Sequence, residues 1–158
     1  MKIDREKKER IQKIVSYFSA IFSHELDIAN FSDRIRLQKM MYLLKTMGID
    51  LHYSFGWHVR GPYAFGLVDD GYDYLENKDK MDFSYTISSE EEKIIDKVKQ
   101  ISSYLKDPEN SELLASYLFI RDGLQFGERA RDELRIRKPR FSDKEVETAL
   151  QLWDTVMK

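Results

Sequence analysis

Cysteine is absent from this 158-residue chain, which excludes disulfides, thiolate metal sites and cysteine nucleophiles. Histidine is scarce, with three residues in all, so a zinc site would need carboxylates brought in by other elements. An excess of one charge is also lacking. The 26 lysines and arginines meet 28 aspartates and glutamates, a formal net charge of −2, and nothing in that balance announces a nucleic-acid partner. No window approaches the roughly eighteen uninterrupted apolar residues of a membrane span. The charged opening MKIDREKKERIQKIV has no apolar centre of the kind a secretion signal needs. A cytoplasmic protein is expected. The chain also has no G-x-S-x-G elbow, no phosphate-cradling glycine loop and no calcium-loop spacing.

What is present is a generous set of core formers, including nine Tyr, nine Phe and two Trp. A chain of this length can bury a core without covalent staples. Residues Asp4 to Phe22 read as a helix, because Ile11, Ile14, Val15, Phe18, Ile21 and Phe22 recur at three- and four-residue steps. Lys7, Lys8, Arg10 and Lys13 fall on its other side and read as a solvated face. A second helix, capped by Ser32 or Asp33, runs to Met47 and ends at Gly48. Its apolar residues cover more than one face, which predicts a central position.

Tyr53, Phe55, Trp57 and Val59 then alternate as in a strand, and Phe83 to Ile87 offers the clearest partner. The spacing predicts an antiparallel pair with a helix, about Tyr63 to Leu75, inserted between its strands and Pro62 in that helix's first turn. Further helices are predicted from Ser88 to Leu105, from Asn110 or Ser111 to about Gly123, from Glu128 to Leu134, and after Ser142. At the last of these, Ser142 and Glu145 form a capping box and Phe141 faces Val146. No linker or internal repeat divides the chain. The expectation is one mainly α domain over residues 1–158, a bundle of six or seven helices with a small two-stranded antiparallel sheet.

Leu37-Gln38-Lys39, Tyr42-Leu43-Leu44, Gly48, Tyr53, Phe55, Trp57, Arg60-Gly61-Pro62-Tyr63, Leu67 and Asp70 occur in an order that resembles the YwgA-type family of uncharacterised prokaryotic proteins. Leu114 to Leu118 and Lys138 to Asp143 extend the resemblance, which spans about Ser32 to Trp153. The chain is similar, more distantly, to the Panacea domain of SocA-like antitoxins, which shares a Leu-Gln-Lys helix and a later Gly-Pro turn. That likeness implies a protein that binds another protein, typically a toxin or a protease adaptor. Tyr63 departs from the Panacea pattern, which carries a small aliphatic residue there.

Four groups of residues are candidates for chemistry. Lys39, Trp57, Arg60 and Tyr63 could form a concave partner-binding surface beside the rigid Gly61-Pro62 turn, with Gln38 tying the helix to that turn. Arg129, Arg131, Arg135, Arg137 and Arg140, with Arg121 and Lys138, could contact phosphate or an acidic partner, or could pair internally with the acidic stretch Asp69 to Asp82. Asp69, Asp70 and Asp73 could ligate a divalent cation, although helical spacing points them in different directions. His52 and His58 share a predicted strand face but lack further ligands nearby. No catalytic residue, metal or cofactor is expected. The leading expectation is a non-enzymatic interaction module with an antitoxin-like or regulatory role. Its partner would be another protein, and homodimerisation is left open. The rivals are a winged-helix-like nucleic-acid-binding regulator and a metal-dependent hydrolase or nuclease built on the aspartates.

Overall fold

The computed structural model describes residues 3–158. It is mainly helical, with eight α-helices and one two-stranded antiparallel sheet among the described residues. Helix α1 (Arg5–Phe22) starts on Asp4, whose side chain accepts the Lys7 amide. Helix α2 (Phe31–Thr46) is capped by Asn30, ahead of the expected Ser32 or Asp33. Asp33 is instead drawn inward, accepting from the Asp27 amide at 2.9 Å and from Arg36 at 2.8 Å. Residues 37–44 of α2 are all buried, so its lack of a single apolar stripe reflects a helix packed from several sides.

Strands β1 (Gly56–His58) and β2 (Gly61–Tyr63) form a tight hairpin, with Trp57 opposite Pro62 and His58 opposite Gly61. This corrects two expectations. Phe83 to Ile87 is extended but pairs with no strand; Gln12 and Ser16 of α1 donate to the carbonyls of Ser84 and Tyr85. Alternation reports which side chains are buried, and a helix flank with polar side chains can satisfy an extended backbone as a strand does. Pro62 lies in β2, and helix α3 (Phe65–Asn77) begins three residues after it. Proline is tolerated there because a two-stranded hairpin has only edges.

Helix α4 (Ser89–Lys99) opens on a capping box between Ser88 and Glu91. The expected continuous helix to Leu105 breaks at Ile101 and restarts as the single turn α5 (Ser102–Leu105), which is why eight helices form. The break uses i→i−3 bonds from Gln100 and Ile101 and keeps both Ile101 and Leu105 buried. Helix α6 (Pro108–Leu118) has Pro108 in its first turn and Asp107, not Asn110 or Ser111, as its cap. It passes through a π-helical turn over Phe119–Gly123. Helices α7 (Ala130–Arg137) and α8 (Asp143–Met157) follow, the latter with the expected Ser142–Glu145 capping box. Val156 of α8 is buried and Met157 is exposed.

Helices α2 and α6 form the central pair, with α1, α4 and α8 around them. Leu37, Met40, Met41, Leu44, Leu114 and Trp153 join one apolar cluster, with Trp57 packed on its edge. No helix of the described residues is long and apolar enough to cross a membrane.

The hairpin is fitted closely to α6. Gly61 has φ +90°, and a Cβ there would overlap the Ser116 hydroxyl. That hydroxyl is buried and has no hydrogen-bond partner among the described residues. Ser116→Ala should therefore leave stability unchanged or raise it by up to about 1 kcal/mol, because no hydrogen bond is lost and a desolvated hydroxyl is removed. Urea unfolding checks this; a clear loss would mean that the hydroxyl is satisfied in solution.

Candidate functional site

Gln38 and Lys39 turn the middle of α2 into a clamp on β2 and the residue that follows it. Gln38 donates to the Ala64 carbonyl at 3.0 Å and accepts the Ala64 amide at 2.8 Å. Lys39 donates to the Pro62 carbonyl at 2.7 Å. The expected tie from Gln38 to the turn is thus present, made at Ala64. Lys39 is 1 % exposed, so it is an internal anchor and not part of an outer surface.

A groove of about 430 Å³ opens where α2, the hairpin and the start of α3 meet. Phe31, Arg34, Ile35 and Gln38 line it from one face of α2, at the helical spacing i, i+3, i+4, i+7. Phe65, Val68 and Tyr72 line it from α3, again three and four residues apart, while Leu67, Asp70, Gly71 and Tyr74 of that helix are buried. The hairpin contributes His58, Val59, Arg60 and Tyr63. His58, Tyr63 and Phe65 form a ring cluster with centroids 5.0–5.3 Å apart. Phe31, Val59, Phe65 and Tyr72 are four of the six large apolar side chains that are exposed among the described residues.

Of the four expected partner-binding residues, Arg60 and Tyr63 line this groove at its surface, and Lys39 reaches it only from the interior. Trp57 does not line it. Its ring stacks on Phe119 at 6.2 Å, with Arg137 at 5.2 Å and Lys138 at 5.3 Å over its face.

Beneath the hairpin lies Glu112 of α6, 1 % exposed. It pairs with Lys138 at 3.0 Å, with Arg140, and with Arg60 at 3.6 Å. Burial alone would push the Glu112 carboxyl up, but hydrogen bonds from Arg140 and Lys138 outweigh it and hold the group below the usual glutamate range. Lys39 is pushed down to about 7 by burial, with Lys138 and Arg60 adding to the effect and Glu112 opposing it.

Most of the other arginines of the basic segment are paired with nearby carboxylates. Arg131 pairs with Glu147 at 2.7 Å, Arg137 with Glu133 at 3.0 Å, Arg135 with Asp143, and Arg121 with Asp122 at 2.9 Å. Arg129 lies over the Phe126 ring at 5.5 Å. Their carboxylate partners come from the same half of the chain, not from Asp69 to Asp82 as one expectation had it.

That acidic stretch instead binds α1. Arg10 grips Asp70 with contacts of 2.9 and 3.3 Å, Tyr53 donates to the same carboxylate at 2.5 Å, and Lys7 lies 3.0 Å from Asp69 and also pairs with Asp73. Lys7 and Arg10 are therefore not a solvated face. The pairing across 60 residues is a consequence of packing α1 on α3. Among the described residues no group of His, Asp and Glu is arranged to hold a metal ion. His52 is exposed with φ +66°, off the strand, and is not brought beside His58 on a shared sheet face.

Comparison with family models, curated proteins and solved structures finds no match to this chain.

Sequence reasoning missed Phe31, Arg34, Val59, Phe65 and Tyr72. A signal for part of the set was present: α3 carries two apolar stripes, and a helix buried on only one side needs only one.

Proposed function

We propose that this protein is a non-enzymatic interaction module, antitoxin-like or regulatory in role, that seats an apolar segment of a partner protein in the groove between α2, the hairpin and α3. The observation that carries this reading is the gathering of four of the six large apolar side chains exposed among the described residues around one concavity. Scattered exposed apolar residues are ordinary, but a contiguous set around a cleft is a feature of binding surfaces. The walls are pre-organised. Gln38 and Lys39 fix the hairpin strand against α2, so little order has to be gained on binding.

The nucleic-acid reading draws little support, because Arg121, Arg131, Arg135, Arg137 and Arg140 are each engaged by a nearby carboxylate. A hydrolase built on Asp69, Asp70 and Asp73 is disfavoured for a similar reason, since Lys7 and Arg10 occupy these acids.

Val59→Ser and Phe65→Ser test the proposal, since these side chains are 90 % and 69 % exposed. Both should change stability by no more than about 0.5 kcal/mol, as surface substitutions usually do. Both should also weaken a partner that has been co-purified from the native cells, identified by mass spectrometry and re-made in pure form. Partner affinity equal to that of the unaltered protein in both variants would remove the groove from the account.

A further inference from the structure

The groove has a charge character that the chain as a whole does not. Acidic residues outnumber basic ones, 28 to 26, yet the lining contains Arg34 and Arg60, with Lys39 buried behind them, and among the described residues no aspartate or glutamate. The cause is the buried cluster behind it. Glu112 pairs with Lys138, Arg140 and Arg60, Glu109 shares Arg140 at 3.3 Å, and Lys39 lies within the electrostatic reach of Glu112. The cations around Glu112 thus outnumber the carboxylates that meet them. Arg60 has the weakest share, since its 3.6 Å approach to Glu112 is too long for a hydrogen bond.

The same guanidinium is half exposed and sits 5.0 Å from the centre of the Phe31 ring, with Arg34 over that ring at 5.5 Å. Arg34 spends one donor on the Ile28 carbonyl at 2.8 Å. Two planar donors therefore flank an exposed aromatic surface at the groove wall.

We infer that the occupant of the groove is a segment of a partner protein carrying an aromatic or large aliphatic anchor next to aspartate or glutamate. In that complex, the anchor lies among Phe31, Phe65 and Tyr72, and the carboxylate is taken by Arg60 with Arg34. Guanidinium suits this role because it binds a carboxylate with two parallel hydrogen bonds and stacks on rings at the same time. The volume of about 430 Å³ suits a few side chains of one segment and not a folded surface. This inference rests on the groove reading given above, but it can fail separately from it.

The test is selection of peptides from a displayed random library on the immobilised full chain, followed by calorimetry with the selected peptides. Enrichment of sequences that place Asp or Glu beside an aromatic or large aliphatic residue is expected. Changing that Asp to Asn should weaken binding about tenfold on the unaltered protein and much less on Arg60→Gln. Phe65→Ser, at an exposed site, should weaken every selected peptide. If Phe65→Ser weakens binding but Asp-to-Asn exchange in the peptide does not, the carboxylate inference is overturned while the groove stands. Selected peptides indifferent to Phe65→Ser, or no enrichment at all, overturn both. Indole-3-propionate binding more tightly than any peptide, and displacing them, would make the occupant a small aromatic acid and reject the peptide.

Discussion

Replacing Glu112 by alanine is expected to destabilise the protein by about 3–5 kcal/mol, the usual loss when one partner of a buried ion pair is removed. Glu112 and Lys138 are 1 % and 4 % exposed, so water cannot take over the solvation of the ammonium once the carboxylate is gone. Lys138 would keep the Val59 carbonyl and the face of the Trp57 ring, and Arg140 would keep Glu109 at 3.3 Å. The damage should be felt at the hairpin, since Lys138 and Arg60 both reach it. Glu112→Gln retains the shape and an acceptor and should cost less, which separates loss of charge from loss of packing. Urea unfolding of both variants at pH 7 measures the difference. Equal stability of Glu112→Ala and the unaltered protein would show that the cluster is solvated. Because the Glu112 carboxyl is held below its ordinary value of 4.5, its stabilising share is present above that value. It is lost as the pH falls through the lower folded-state range.

Stability should rise with pH between about 7 and 9, by about 2–3 kcal/mol, and this rise should vanish in Lys39→Met. In the folded protein the Lys39 ammonium gives up its proton near pH 7, whereas in the unfolded chain it holds it to about 10.5. Between those values the unfolded state binds more protons, so raising the pH favours folding, at about 1.4 kcal/mol for each pH unit. The neutral amine can still donate to the Pro62 carbonyl, so the contact that holds β2 survives deprotonation. Tyr42, Tyr85 and Tyr104 are pushed up to about 12, mainly by burial, and reverse the trend only above pH 10, where the unfolded chain ionises first. Lys39→Met leaves the Pro62 carbonyl unpaired and should cost stability at pH 9. The diagnostic quantity is therefore the slope, obtained from urea midpoints at several pH values. Identical slopes for the two proteins would mean that Lys39 stays charged through this window.

The mainly α class, the central position of α2 and the cap at Ser142 were legible in the amino-acid order, because helical periodicity and capping are local. Ser142, Glu145, Phe141 and Val146 lie within six positions of one another and meet through helix geometry alone. The strand partner was not legible. Phe83 to Ile87 has strand alternation, but only the packing of α1 decides that Gln12 and Ser16 take its carbonyls. Gln38, expected to tie the helix to the Gly61-Pro62 turn, is clamped to Ala64. Lys39, expected on the concave surface, is buried, which reverses that role.

The amino-acid sequence by itself determined which stretches become helical, where most of them end and which side chains form one apolar core, since each follows from spacing within a few turns. The tertiary structure alone decided the charges and the groove. Glu112 meets Arg60, Lys138 and Arg140 from sequence positions 26 to 52 residues away, and Asp70 meets Arg10 across 60. Coulombic attraction between such residues is shorter in reach than the chain between them, so it acts only after packing has brought them together. The aromatic lining is decided in the same way. Phe31 and Phe65 are each ordinary residues at the start of a helix, and they become one surface because α2 and α3 converge on the hairpin.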